Sequence, residues 1–172
     1  MVSFPDGFRL ERLEKRHPRG RFHSGVDEVD QWLSRDAFQH QKKHLSVTRV
    51  LVDETDRIAG YYTLATGQVN FSDLPPDITR KLPRRNLPVA VLAWLGVESS
   101  QQGIELGARL LAQALNDCHA AGQTFAFVAV ILDCLNEDAK RFYQRWDFEE
   151  MPGHPYRLFL SARLLEKLNR GR

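Results

Sequence analysis

Two nearly unbroken apolar runs, Val89-Ala-Val-Leu-Ala-Trp-Leu-Gly-Val97 and Phe125-Ala-Phe-Val-Ala-Val-Ile-Leu132, constrain the fold more than any other feature of the chain. A strand with one face in water alternates apolar and polar residues. A run with no polar face belongs to a strand covered on both sides, near the centre of a sheet. Between the two runs, Leu106, Leu110, Leu111, Ala114 and Leu115 recur at helical spacing and predict a helix to about Ala121, ended by Gly122. Strand, turn, helix and strand make a βαβ-like unit.

The turn that opens this helix reads Gln102-Gly103-Ile104-Glu105-Leu106-Gly107. A diphosphate needs backbone N–H donors at a helix N-terminus, and small residues let the backbone come close. By itself such a turn is equally an ordinary strand-to-helix connection. After the second run comes Asn136-Glu-Asp-Ala139-Lys-Arg-Phe142-Tyr143, predicting a short helix from Asp138 to Trp146 on which Asn136, Ala139 and Tyr143 project to similar sides. Asn136 can cap that helix, hydrogen-bond an extended ligand, or do both. A phenol with an ordinary pKa near ~10 suits a general acid for a departing thiolate of comparable basicity; a packed Tyr with a satisfied hydroxyl is the alternative.

Elsewhere the pattern is mixed. Phe8 to Leu13 alternates weakly, as a first strand, and Val29, Trp32, Leu33, Ala37 and Phe38 predict a helix from Val29 to about Lys43 with Ser24 or Asp27 as its cap. Ser46–Val52 and Ile58–Ala65 flank a turn at Asp53–Asp56 and read as a hairpin. Pro75, Pro76, Pro83 and Pro88 make 73–88 a loop with at most a short helix. Phe148–Glu150 and Tyr156–Leu160 read as a closing hairpin across Pro152-Gly153, with Ser161 capping a last helix from Ala162 to Leu168. Strands alternate with helices only in the second half, so the expected class is a mixed α/β (α+β) sheet flanked by helices.

At 172 residues the chain is read as one domain spanning 1–172. No apolar run approaches the roughly 20 residues that span a bilayer. The start shows no secretory pattern and two cysteines make no disulfide framework, which together point to the cytoplasm. Cys118 and Cys134 read as small core residues. The formal net charge is only +2, but Arg80, Lys81, Arg84 and Arg85 fall close together, and Arg9 to Arg21 holds a second basic cluster. Such clusters are either solvated faces or polyanion footprints.

Asn136-x-x-Ala139-x-x-Phe142-Tyr143 with Phe148 resembles the closing motif of the GNAT superfamily of acyl-CoA-dependent N-acetyltransferases. Gln102-Gly103-x-x-x-Gly107 resembles that superfamily's pyrophosphate loop, Gln/Arg-x-x-Gly-x-Gly/Ala. In the first half, His17, Phe22-x-x-Gly25, Asp30-x-Trp32-Leu33, Ala37, Ser46, Gly60-Tyr61-Tyr62-Thr63-Leu64 and Pro88-Val89 are similar to the GNAT toxins of bacterial toxin–antitoxin pairs, as is Arg157-Leu158-Phe159-Leu160. The resemblance implies splayed central parallel strands and acetyl-CoA as cofactor. It would be bound by the backbone of Leu95, Gly96 and Val97, by the loop Gln102, Gly103, Glu105, Leu106, Gly107 and Ala108, and by Asn136. Tyr143 would be the catalytic acid, and no metal is implied. It also implies aminoacyl-tRNA as substrate, acetylated on its α-amine to block translation, with Arg80, Lys81, Arg84 and Arg85 as candidate RNA contacts. A homodimer and a ribbon-helix-helix antitoxin would be its partners, and no membrane is involved.

The chain departs from the family pattern at two glycines, replaced by Glu105 in the loop and Asp147 before the last Phe, and the basic residues usual before the loop are Ser99, Ser100 and Gln101. Two other readings stay open: an acetyltransferase acting on a small-molecule or protein amine, and a GNAT-shaped binding protein in which Glu105 weakens cofactor binding.

Overall fold

A computed structural model of the chain describes residues 2–102 and 105–170. Its strands are β1 (Arg9–Arg12), β2 (Val47–Val52), β3 (Ile58–Val69), β4 (Leu87–Val97), β5 (Ala129–Asp133), β6 (Glu149–Met151) and β7 (His154–Ser161). They form one mixed sheet in the order β1-β2-β3-β4-β5-β7-β6. Val89–Val91 of β4 run parallel to Ala129–Ile131 of β5, whereas β1 with β2, β2 with β3, β5 with β7 and β6 with β7 are antiparallel. The expected mixed sheet is therefore present, with its parallel pair in the two apolar runs. By Cα packing the chain divides into two compact units, residues 1–65 with 92–115 and residues 66–91 with 116–172.

In the first unit, the β-branched run of β2 pairs with β1 and β3 as the hairpin pattern predicts. Asp53 builds the intervening turn, its Oδ1 accepting from the Thr55 amide (2.8 Å), the Thr55 hydroxyl (2.7 Å) and the Arg57 amide (3.0 Å). The helix expected from Val29 is in three parts: α1 (Asp27–Gln31), a π-helical turn Trp32–Asp36 and α2 (Ala37–Lys42). Neither Ser24 nor Asp27 caps it. Val26 precedes the first turn without a side-chain cap, and the Ser24 amide and hydroxyl instead donate to Asp30 Oδ1 at 2.9 and 2.7 Å. Val29, Leu33 and Ala37 pack with Leu13, Val50 and Tyr61 into a buried cluster. Trp32 reaches Thr63 Oγ1 with its indole N–H (3.0 Å) and stacks on Trp94, centroids 5.4 Å apart. Single π turns inside α-helices are frequent at functional sites.

Gly96 is needed in this unit for packing. A Cβ there would lie 2.5 Å from Val29 Cγ1 and 3.2 Å from the Tyr61 ring. The apolar stripe of α4 (Leu106–Gly122) is buried as its periodicity predicts, with Leu106, Leu110, Leu111, Ala114 and Leu115 all in the core.

In the second unit, β3 runs past Ala65 to Val69, and the proline-rich segment holds a 3₁₀ turn (Phe71–Asp73) and α3 (Pro76–Thr79), which has Pro at its start where the missing N–H costs nothing. Val69, Leu74, Leu87, Val89, Ala129, Ile131, Met151 and Phe159 form the core. β5 starts four residues later than the apolar run suggests, and Phe125 is 78% exposed. Next come α5 (Glu137–Gln144) and α6 (Ala162–Arg170), the latter capped as expected, with the Leu164 amide donating to Ser161 Oγ at 3.1 Å. No helix is long and apolar enough to cross a membrane among the described residues.

Candidate active site

The loop after β4 is stitched to the segment before α1. The Glu98 amide donates to Ala59 O (2.8 Å), the Ser99 amide to His23 O (2.8 Å) and the His23 amide to Glu98 Oε2 (2.8 Å). Gln102 completes the frame, its Nε2 donating to Ser24 O at 2.9 Å and to Val97 O at 3.0 Å. This expected cofactor contact therefore uses its amide group to hold the loop in place. Gly103 lies outside the described residues.

Glu105 has φ +61°, in the left-handed region. The chain has kept the backbone that a glycine would adopt, with a carboxylate-bearing residue on it; its side chain is exposed. The first hydrogen bond of α4 runs from the Arg109 amide to Glu105 O at 3.1 Å. The N–H groups of Leu106, Gly107 and Ala108 thus precede any α4 acceptor and sit at the positive end of the helix dipole. They are the groups a pyrophosphate requires, and the observation fits the loop to that role. Leu95 and Val97 are half-buried and Gly96 is buried.

In the second unit, Asn136 takes its anticipated part as a helix cap. Its Oδ1 accepts from the Ala139 amide at 2.8 Å, capping α5, while its side-chain N–H groups make no hydrogen bond among the described residues. The C-terminal end of α5 is closed by a Schellman motif around Asp147, which has φ +69°. The Asp147 amide donates to Gln144 O (3.2 Å) and the Phe148 amide to Tyr143 O (3.4 Å). So the second replaced glycine also keeps its left-handed backbone.

Tyr143 lies in that closing turn. Its ring is buried and meets Phe142 and Phe148 edge to face, with centroids 5.2 and 5.8 Å away. Its hydroxyl makes no hydrogen bond among the described residues. Burial, followed by the Cys134 thiol, raises its pKa well above the ordinary tyrosine value. The phenol, held between the Phe142 and Phe148 rings, is therefore protonated and neutral at neutral pH. Cys134 was visible in the sequence only as a core residue. The structure confirms that it is buried, with its pKa pushed up to about 11 chiefly by burial, but also places it beside Tyr143.

Arg80, Lys81, Arg84 and Arg85 are all exposed. Arg84 lies over the Phe71 ring at 5.5 Å, whereas Arg80 and Lys81 line a cavity of about 690 Å³ together with Arg163 at the start of α6 and the carboxylates Asp77 and Glu149. The sequence places Arg163 in a basic tail helix; only the fold brings it to Arg80 and Lys81.

Residues 9–148 match the Acetyltransferase (GNAT) family, and the chain belongs to it. It is an acetyltransferase of that family by fold and by motif. A tRNA-acetylating toxin of Mycobacterium tuberculosis is 34% identical over 140 residues, which cover 81% of this chain and 82% of the relative. Among solved structures, AtaT complexed with acetyl-methionyl-tRNAfMet superposes with a TM-score of 0.86 at 25% identity, covering 94% of this chain and 99% of that one. AtaTR bound with AcCoA gives 0.84 at 26% identity, covering 95% and 99%.

Proposed function

We propose that this chain, as a single acetyltransferase domain over residues 1–172, is a cytoplasmic toxin. It would transfer an acetyl group from acetyl-CoA to the α-amine of aminoacyl-tRNA and so block translation. Acetyl-CoA, when bound, supplies an activated acyl thioester. The backbone of Leu95, Gly96 and Val97, the amides of the loop from Gly103 to Ala108, and the Asn136 carboxamide would hold it, with Gln102 and the Glu105 backbone shaping the loop. Tyr143 keeps a proton on its Oη through neutral pH and would give it to the departing thiolate sulfur. The attacking amine of an aminoacyl ester is already substantially neutral near pH 7 and loses its own proton to solvent. The single observation that carries this reading is the buried Tyr143 ring, clamped by the Asp147 turn, whose hydroxyl makes no hydrogen bond among the described residues.

The RNA contacts are Arg80, Lys81, Arg84 and Arg85, with Arg163 added by the fold. Such groups position a phosphate backbone without reading sequence. The assembly is a homodimer neutralised by a ribbon-helix-helix antitoxin. The likeness to a tRNA-acetylating toxin at 34% identity favours charged tRNA over a small amine as acceptor.

The test is transfer of radiolabelled acetyl from acetyl-CoA to bulk charged tRNA, alongside calorimetric titration of acetyl-CoA. Labelled acetyl-aminoacyl-tRNA is the expected product. Label on polyamines but not on tRNA would overturn the acceptor, and no heat at millimolar cofactor would overturn the enzyme.

A further inference from the structure

A cavity of about 320 Å³ lies in the first unit, walled by residues 98–101, the turn at residues 53–57 and the segment just before α1. Arg21 and Arg57 both line it, and both are exposed. Neither is in an ion pair among the described residues; Arg57 has only a longer-range attraction to Asp53. Two carboxylates, Asp53 and Glu98, share the lining, each holding neighbouring groups through one of its oxygens. Asp53 Oδ1 already accepts three hydrogen bonds in its own turn, and Glu98 Oε2 accepts from the His23 amide at 2.8 Å. Alongside these two carboxylates the lining holds two guanidinium groups, the polar Ser100 and Gln101, and an apolar patch of Phe22 and Ile58.

We propose that this cavity is a nucleotide phosphate site, in which Arg21 and Arg57 clamp a phosphate ester while Phe22 and Ile58 receive part of the attached sugar. Guanidinium groups bind phosphate oxygens by paired, charge-assisted hydrogen bonds, and two of them from separate elements fix the ligand's position. The volume exceeds that of a phosphate several-fold, which leaves room for a sugar but not for a duplex. The wall is already rigid, because residues 98–102 are tied to Ala59, His23 and Ser24, so little ordering is needed on binding. The same wall leads into the loop before α4 that the acetyltransferase reading assigns to the cofactor. The pocket itself does not depend on that reading; the source of the phosphate does. It is either the 3′-phosphate of CoA or a phosphate of the RNA acceptor.

The probe is adenosine 3′,5′-bisphosphate, titrated calorimetrically into the full chain, with adenosine as the phosphate-free control. The wild type should bind the bisphosphate and not adenosine. Arg21→Gln with Arg57→Gln should weaken binding about tenfold or more, and Arg57→Lys should retain part of it. Both arginines are exposed, so thermal melts of the variants should match the wild type. If the phosphate comes from the cofactor, replacing acetyl-CoA by its 3′-dephospho form should weaken binding to the wild type and not to the double variant. If it comes from RNA, cofactor affinity should be unchanged in the double variant while KM for charged tRNA rises about tenfold. A wild type that does not bind the bisphosphate, or a double variant that binds it equally well, overturns the proposal. A wild type that binds the bisphosphate but transfers no acetyl group overturns the enzyme reading alone.

Discussion

Phe148 closes a turn directly over Tyr143: its amide reaches the Tyr143 carbonyl at 3.4 Å while the two rings meet edge to face with centroids 5.8 Å apart. The residue between the helix end and Phe148 is Asp147, at φ +69°. Backbone geometry and ring packing therefore act on the same tyrosine. Aspartate is among the few non-glycine residues that occupy this region with modest cost.

Removing the Tyr143 hydroxyl should separate binding from chemistry. Tyr143→Phe keeps the ring contacts, so acetyl-CoA affinity should stay within about twofold while turnover falls on the order of 10²-fold or more. Single-turnover kinetics with calorimetry read both. Equal turnover would remove Tyr143 from the mechanism.

Asp147 offers an independent handle on the same group. Asp147→Gly should leave stability unchanged or raise it by up to about 1 kcal/mol, since relief at positive φ is offset by the added freedom of the unfolded chain. Asp147→Val should destabilise by about 1–3 kcal/mol and lower turnover with it. Urea titrations would check the two signs, and a fully active Val variant would refute the coupling.

Glu105 separates charge from backbone in the cofactor loop. Glu105→Gly should tighten acetyl-CoA binding about fivefold if the carboxylate faces the pyrophosphate, an effect on the order of 1 kcal/mol. Glu105→Gln removes the charge and keeps a side chain at positive φ. Tightening in both variants identifies charge as the cause, and tightening in Gly alone identifies the backbone. Unchanged affinity in both shows that Glu105 points away from the cofactor.

Alkaline pH should destabilise the fold through buried thiols and phenol. Burial raises Cys134 to about 11 and Cys118 to about 12, the latter also through Asp117, and it raises Tyr143 as well. Each group loses its proton more readily when unfolded, so the unfolded state binds fewer protons above the ordinary thiol pKa. The contribution is whole below about pH 8 and declines as pH rises above about 9. Melting temperatures from pH 7 to 11 should fall at the alkaline end, and Cys118→Ala should flatten that fall. An identical profile in the variant would exclude Cys118 as a cause. Across the same range below pH 10, turnover should show no loss from deprotonation of Tyr143.

The cavity lined by Arg80, Lys81 and Arg163 can be tested separately. Arg80→Gln with Lys81→Gln should raise KM for charged tRNA several-fold and reduce its salt dependence, with acetyl-CoA affinity untouched. Adding Arg163→Gln should deepen the effect. Kinetics at two salt concentrations would show it, and unchanged KM would leave this a solvated face.

The parallel strand pair, the central helix and the cap at Ser161 were all legible because they rest on local pattern: unbroken apolar runs, a 3.6-residue stripe and a hydroxyl three residues before an amide. Asn136 and Tyr143 were legible for the same reason, since spacing along one short helix sets which side they share. The π turn at Trp32 was not, because a helix interrupted by one widened turn keeps nearly the same apolar spacing. Phe125 misled in the opposite direction: it extends an apolar run, yet it lies outside the strand and in water.

What the sequence alone determined is therefore the order and type of the elements and the residues on each short stretch that share a face. Only the tertiary structure decided that Gln102 spends its amide on Ser24 and Val97, that Arg163 joins Arg80 and Lys81, and that Arg21 and Arg57 face one cavity. Those pairings join residues far apart in the chain. Short-range periodicity carries no information about them, because they are set by how whole elements pack.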